Sequence, residues 1–286
     1  MIKRIVVLAL FSVVVFGPGT ILAAEKKAVK PWKRFDVNLG ASRILNQSSV
    51  RVGSPGLGVD IDPESALGLD STTTTFRLDG FWRFTRNRRH RLDFTYYSNR
   101  RHSNKTLEED LEIGDDVIDV GTEIDTKFNF DLFRLGYSWS FFQDDRVDLG
   151  VGGGLYIVPI ELKIDAEGTV NGQPISPGST VVEETLSAPL PVINLRADIA
   201  ITPRWFLRNR IDAFYLEINE YTGSIIDTRV AVEYEPFKHV GFGLAWDYLR
   251  LDIEAEDDDN GIPGLDFTGN FEFRNAGLML YLKAYF

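Results

Sequence analysis

The chain closes on Asn275-Ala276-Gly277-Leu278-Met279-Leu280-Tyr281-Leu282-Lys283-Ala284-Tyr285-Phe286. Taken two at a time, Ala276, Leu278, Leu280, Leu282, Ala284 and Phe286 form one apolar face. Asn275, Gly277, Met279, Tyr281, Lys283 and Tyr285 form a more polar one. A period of two is the signature of a strand, whose successive side chains point to opposite faces. A tilted strand needs about 9–11 residues to cross a bilayer, and residues 276–286 supply that length.

Working outward, the same alternation predicts strands over 32–45, 73–84, 91–101, 124–142, 147–165, 186–201, 205–218, 225–235, 240–254 and 267–286. Short turns at 85–90, 143–146, 202–204 and 236–239 alternate with five links on the other side, four of them long. Pro189 and Pro191 weaken the sixth strand, and Asn171-Gly172 could turn an extra hairpin, so eight or twelve strands stay open beside ten. An even strand number, short turns on one rim, long loops on the other and a closing aromatic strand resemble the small Gram-negative outer-membrane β-barrels. The resemblance implies an all-β transmembrane antiparallel up-and-down barrel in the bacterial outer membrane, with periplasmic turns and extracellular loops. It also implies contact with outer-membrane lipids and lipopolysaccharide. Its terminal strand, with Tyr281, Tyr285 and Phe286, would be the insertion signal read by the barrel-assembly machinery.

Residues 1–24 read as a secretory signal: Lys3 and Arg4, an apolar run over 5–16, then Ala23-Ala24 before charged residues. Residues 25–34 would be a short periplasmic segment and 35–286 the barrel. Loss of 1–24 removes Lys3 and Arg4 and no acid, leaving 29 Lys and Arg against 42 Asp and Glu, a net charge of −13. That excess argues against nucleic acid as a partner. With no cysteine, an exported chain relies on its sheet and core alone.

The acids gather on the long links. Residues 52–75, 106–126, 164–193 and 251–273 hold four, nine, four and eight acids and no Lys or Arg. Arg86, Arg88, Arg89, Arg146, Arg204 and Lys238 sit in the short turns. Loop solubility accounts for the pattern. A second reading is an acidic outer surface binding divalent cations shared with lipopolysaccharide.

Several strands change phase partway. Phe133, Leu135, Tyr137, Trp139 and Phe141 are apolar near the turn, but Ile124, Phe128, Phe130 and Leu132 higher up. If the strands stay regular, the upper apolar residues point inward and their polar neighbours outward, as expected once a strand leaves lipid for water. The lower lumen would then hold paired charges: Arg77, Asp79, Arg83, Arg91, Asp93, Arg196, Asp198, Arg208, Arg210, Asp212, Arg229, Glu233, Asp247 and Lys283. The upper interior would hold Phe128, Phe130, Leu132, Ile160, Leu162, Ile164, Phe214, Leu216, Ile218, Leu249, Leu251, Ile253, Phe271 and Phe273. That set is an ordinary core, or a mouth for a hydrophobic small molecule.

Catalytic options are few. Of three histidines, His90 and His239 fall in turns, and His102-Ser103 are strand neighbours that point to opposite faces. The ten strands also resemble the outer-membrane aspartyl-type proteases in number, with no matching motif. Glu256, Asp258, Asn260 and Gly261 mimic half an EF-hand loop, but Phe267 stands where the bidentate Glu belongs. The run reads as a solvated acidic loop. No cofactor is expected, and the leading function is a non-enzymatic barrel, structural or surface-interacting.

Overall fold

The computed structural model describes residues 31–52, 60–113, 116–218, 221–255 and 269–286. The leader expected over 1–24 and the acidic run 256–261 lie outside the described residues. Ten long strands form one sheet: β1 Phe35–Val52, β2 Thr72–Arg83, β3 His90–Thr106, β4 Glu123–Gln143 and β5 Val147–Glu167. The other half is β6 Ser179–Ala200, β7 Trp205–Ile218, β8 Tyr221–Tyr234, β9 Val240–Ala255 and β10 Gly269–Tyr285. Each pairs antiparallel with its sequence neighbours, and β10 pairs with β1 from Asp36 opposite Tyr285 to Val52 opposite Gly269. The sheet closes on itself, and the short ladder between β6 and β7 runs from Ala200 opposite Phe206 to Ile193 opposite Ala213.

The side chains obey the alternation in two different senses. In the lower part the apolar face points outward. Leu280 is 69% exposed, Leu135 62% and Ile193 67%, and Phe76, Leu45, Leu244 and Leu278 are exposed with them. Aromatic residues gather at the short-turn rim, where Trp205 stacks on Tyr234 at 4.6 Å and His239 on Phe286 at 4.9 Å. Such a girdle marks the boundary of an apolar belt. In the upper part Phe128, Phe130, Ile164, Leu251, Ile253 and Phe273 are buried inside. Outside, Arg250 pairs with Glu272 at 3.0 Å and Asn129 donates to Glu161 at 3.0 Å. The inversion needs no bulge: the register shifts between Ser140 and Phe142 at the lower rim and between Thr180 and Val182 far above, not at the level of the switch. One surrounding medium replaces another while the strands run on.

Some sequence expectations are corrected. Trp32 lies outside β1, which starts at Phe35 and runs seven residues beyond the expected end at 45 to Val52. β8 begins at Tyr221, so the seventh and eighth strands are joined by residues 219–220 alone. Pro189 and Pro191, expected to weaken the upper end of the sixth strand, leave its β5 side intact, where β6 pairs straight through them, while its ladder to β7 runs only up to Ile193. The hairpin at Asn171-Gly172 exists, but outside the barrel. Thr169–Val170 pairs with Gln173–Pro174, and Ile118 of the hairpin Leu111–Ile113/Asp116–Ile118 pairs with Val170. Asn171 at φ 52° and Gly172 at φ 71° take the left-handed conformations that a two-residue hairpin turn requires.

Candidate functional site

Inward-facing positions of all ten strands build the lumen, and it is filled in layers. At the short-turn end Trp32 packs with Ala200 and Phe206 and donates Nε1–H to the Asp144 carbonyl at 2.6 Å. Above it, Asp198 Oδ2 receives Arg91 Nη1 at 3.0 Å, Arg208 Nη1 at 3.1 Å and Arg83 Nη2 at 3.2 Å. Arg83 and Arg196 also meet Asp148, and Arg91 meets Asp93. Phe81 faces inward among these cations, with the Arg91 guanidinium 4.1 Å from its ring centre. Its negative π face gives the crowded guanidinium groups a further partner. Beside this cluster Lys283 Nζ is shared by Asp36 at 2.7 Å, Glu235 at 3.0 Å and Glu233.

One level higher, Arg77, Asp79, Arg229 and Asp247 close a ring. Arg77 reaches Asp79 at 3.0 Å and Asp247 at 3.4 Å, and Arg229 Nη1 lies 3.1 Å from each of the same two carboxylates. Arg134 grips Asp212 with Nε at 2.8 Å and Nη2 at 3.0 Å, the fork geometry that suits a carboxylate. Arg210 bridges Asp212 at 3.1 Å and Asp227 at 2.9 Å, and Tyr156 OH lies 2.7 Å from both acids. A cavity of about 60 Å³ remains near Asn38, Thr95 and Arg210, room for a few waters. Small residues make space for long ones: a Cβ on Gly150 would stand 2.6 Å from Arg196 Nε.

Above the charges lies an uncharged layer in which Asn99 donates to Asn46 at 2.8 Å and Asn275 to Tyr97 OH at 3.1 Å. The apolar chamber follows. Phe130 stacks on Phe273 at 4.5 Å, and Phe128 sits 6.3 Å from Phe271. Leu132, Ile160, Leu162, Leu249 and Phe271 are buried in the same cluster, with Phe214 and Leu216 half-buried at its side. The Ile218 side chain lies outside the described residues. Segment 62–71 folds over the top. Its Glu64 binds Arg101 and accepts from Ser48 N at 3.0 Å and Ser48 Oγ at 2.9 Å, while Leu67 and Leu69 are buried. Lys105 Nζ holds the Ser65 carbonyl at 2.8 Å.

The structure gathers the fourteen sequence-predicted lumen charges into ion-paired groups linked by Thr95, which bonds Asp79 and Arg210, and by Tyr281, which donates to Glu233 and lies beside Arg229, with the described members of the hydrophobic set above them. Sequence reasoning passed over Asp227, Glu235 and Tyr156. Asp227 and Glu235 share the inward parity of Arg229 and Glu233, a signal present in the sequence. His102 Nε2 lies 2.8 Å from Asp125 Oδ2 on the outer face, while Ser103 donates to the Leu67 carbonyl on the inner one. The two do not meet. Tyr281 and Tyr285 of the terminal strand turn inward and are buried, and Phe286 faces out.

No family model matches the chain, and no curated protein matches it in sequence. Solved structures do match in fold. The outer membrane protease OmpT from Escherichia coli superposes with a TM-score of 0.56 at 11% identity, over 88% of this chain and 96% of that one. The chain has the fold of an outer-membrane β-barrel. Also similar are the translocator domain of the autotransporter NalP from Neisseria meningitidis, with a TM-score of 0.46, 11% identity and coverage of 87% and 88%, and the attachment invasion locus protein Ail of Yersinia pestis, with 0.34, 12%, 87% and 99%. Identities this low carry the barrel's architecture and none of its neighbours' activities.

Proposed function

We propose that the barrel is a non-conducting, non-enzymatic component of the outer membrane, structural or acting through its extracellular end. The observation that supports this reading is the stacking of filled layers along the whole lumen, from Trp32 through the Asp198 cluster and the Arg77–Asp247 ring to the chamber under Glu64. Each charge is desolvated and answered by neighbours. Opening a pore would require several of these paired side chains to part together. An axial route for hydrophobic molecules meets the same charged layers. At the outside, the acidic links fit divalent cations shared with lipopolysaccharide, and β10 fits recognition by the assembly machinery.

Planar-bilayer recording with the purified, refolded protein is the test. The bilayer should stay silent across the voltage range that the membrane itself tolerates. Reproducible unitary conductance abolished by denaturing the protein first would overturn the closed-lumen reading.

A further inference from the structure

The outer wall of the barrel carries a cation that no carboxylate answers. Odd residues of β1 face outward, and Arg43 stands on that face between the exposed Ala41 and Leu45. Its neighbours across the ladders are Leu278 of β10 and Thr74 of β2, both exposed. Among the described residues the Arg43 guanidinium has no hydrogen-bond or ion-pair partner. Elsewhere on the wall cations meet acids. Arg250 lies 3.0 Å and Arg274 2.5 Å from Glu272, and Lys163 lies 3.2 Å from Asp165. The outward positions described on β1 and β2 hold no acid.

A second arginine stands close by. The β2–β3 ladder has its upper end at Phe76 opposite Ser98, and one outward step above that pair come Thr74 and Arg100. The Arg100 side chain is 64% exposed, and among the described residues its ion pairing is a single 3.4 Å contact with Asp131. Adjacent strands lie about 4.8 Å apart, so the two arginines, with β2 between them, rise from backbones about 10 Å apart. Both can turn toward a group lying over Thr74.

The level of this patch decides its ligand. Phe76, Leu278 and Leu45 around it are exposed members of the lipid-facing belt, while Gln47 and Thr72 above are polar. A guanidinium facing lipid is costly at mid-bilayer and tolerated near the interface. Its long stem lets the charge reach upward to the headgroups. A molecule that offers hydrocarbon to Phe76 and Leu45 and an anion to Arg43 is a lipid with an anionic head. Guanidinium donors suit phosphate oxygens in fork geometry. A phosphate monoester carries a charge of about −1.5 to −2 at pH 7, which matches two cations better than the single charge of a diester.

We infer that Arg43 and Arg100 bind a phosphate monoester on the headgroup of a lipid in the leaflet at the long-loop side, with its acyl chains against β1, β2 and β10. The inference rests on the barrel's placement in a membrane. It is independent of the closed lumen, so a conducting barrel leaves it untouched and a failed binding experiment leaves the closed lumen untouched.

The test is native mass spectrometry of the full barrel released from detergent micelles, with lipid A, dephosphorylated lipid A and phosphatidylglycerol as probes. Wild type should retain lipid A and hold the other two clearly more weakly. A charge-assisted contact is worth about a tenfold change in affinity, so R43Q and R100Q should each lose about tenfold and R43Q/R100Q about a hundredfold. R146Q, an exposed exchange in a short turn, should bind as wild type does. Heat-modifiable migration identifies folded variants, and either single exchange decides the matter if the double does not fold. Undiminished binding by folded R43Q and R100Q overturns the inference, as does an equal loss in R146Q or equal retention of dephosphorylated lipid A. Equal retention of phosphatidylglycerol overturns the monoester, and displacement of lipid A by equimolar inorganic phosphate overturns the assignment to a lipid. A chain that stays monomeric in solution without detergent would fail the membrane placement instead.

Discussion

Lys283 Nζ on the last strand lies 2.7 Å from Asp36 Oδ2 on the first, so the barrel's closing seam carries a buried ion pair as well as a ladder. Glu233 and Glu235 complete the cation's surroundings. Lys283→Met would leave three carboxylates around a missing charge. Removing one partner of a buried pair costs about 3–5 kcal/mol. The variant should convert to its unfolded gel mobility at clearly lower urea or temperature than wild type. Asp36→Asn in the same background should recover part of the loss. A Lys283→Met barrel as resistant as wild type would show that the seam does not depend on this pair.

Gly243 faces Tyr281 so closely that a Cβ there would stand 2.0 Å from the ring's Cζ. Tyr281 would have to leave its 2.9 Å hydrogen bond to Glu233. Gly243→Ala is therefore expected to destabilise by about 1–3 kcal/mol, the usual cost of overpacking. Tyr281→Ala in the same chain makes room, so the double variant should lose less than the two singles added, a coupling that urea titration of all four proteins measures.

What could be read from the sequence follows from which signals are periodic. Residues 276–286 alternate strictly, and the other strands alternate within long stretches, because each position faces either the surrounding medium or the lumen. The phase change between Leu132 and Phe133 was equally legible, since the outer medium alone decides which parity is apolar. Trp32 and Glu64 were not. Trp32 was expected in the first strand and Glu64 in a loop, and each reaches its place through contacts distant in sequence: Trp32 with Asp144, Glu64 with Arg101. The weakening expected from Pro189 and Pro191 was legible, but not its side: β6 stays paired with β5 through both prolines and its ladder to β7 stops at Ile193, and the direction of an N–H becomes known only with the register.

Asp165 gives the long-loop half of the barrel a pH-dependent contact. Thr180 Oγ1 donates to its Oδ1 at 2.6 Å, and Lys163 lies 3.2 Å away, which together hold the carboxyl below its ordinary range. A depressed acid contributes stability above its unfolded pKa, about 3.9, and loses it as pH falls through the folded value. Thr180→Val should raise the Asp165 pKa toward that reference, read by NMR titration of a labelled side chain. An unchanged titration would assign the shift to Lys163 instead.

His102 and Asp125 form an exposed pair, and Ser103 belongs to the opposite face. A hydroxyl nucleophile needs its base within hydrogen-bond reach. His102→Ala and Ser103→Ala are therefore expected to match wild type against fluorogenic peptide and phospholipid substrates, at the rate of the protein-free control. Loss in either variant of a cleavage that wild type performs would make this rim catalytic.

The change of medium along β10 offers the sharpest test of where lipid ends. Leu280 is 69% exposed at the middle of the belt, whereas Glu272, on the same outward parity, pairs with Arg250 and Arg274 above it. An arginine facing lipid costs about 2–4 kcal/mol at mid-bilayer and little near the interface. Leu280→Arg should therefore destabilise the barrel strongly. Lys127→Leu, an outward exchange on the upper part of β4, should stay within about 0.5 kcal/mol. Nitroxides on single cysteines at 280 and 272 read the same boundary without relying on stability. The first should be relaxed by oxygen, which partitions into lipid, and the second by a water-soluble nickel chelate. If both respond to oxygen alone, the polar outer face of the upper storey lies within the bilayer, and the inversion of the two faces has some cause other than the passage from lipid to water.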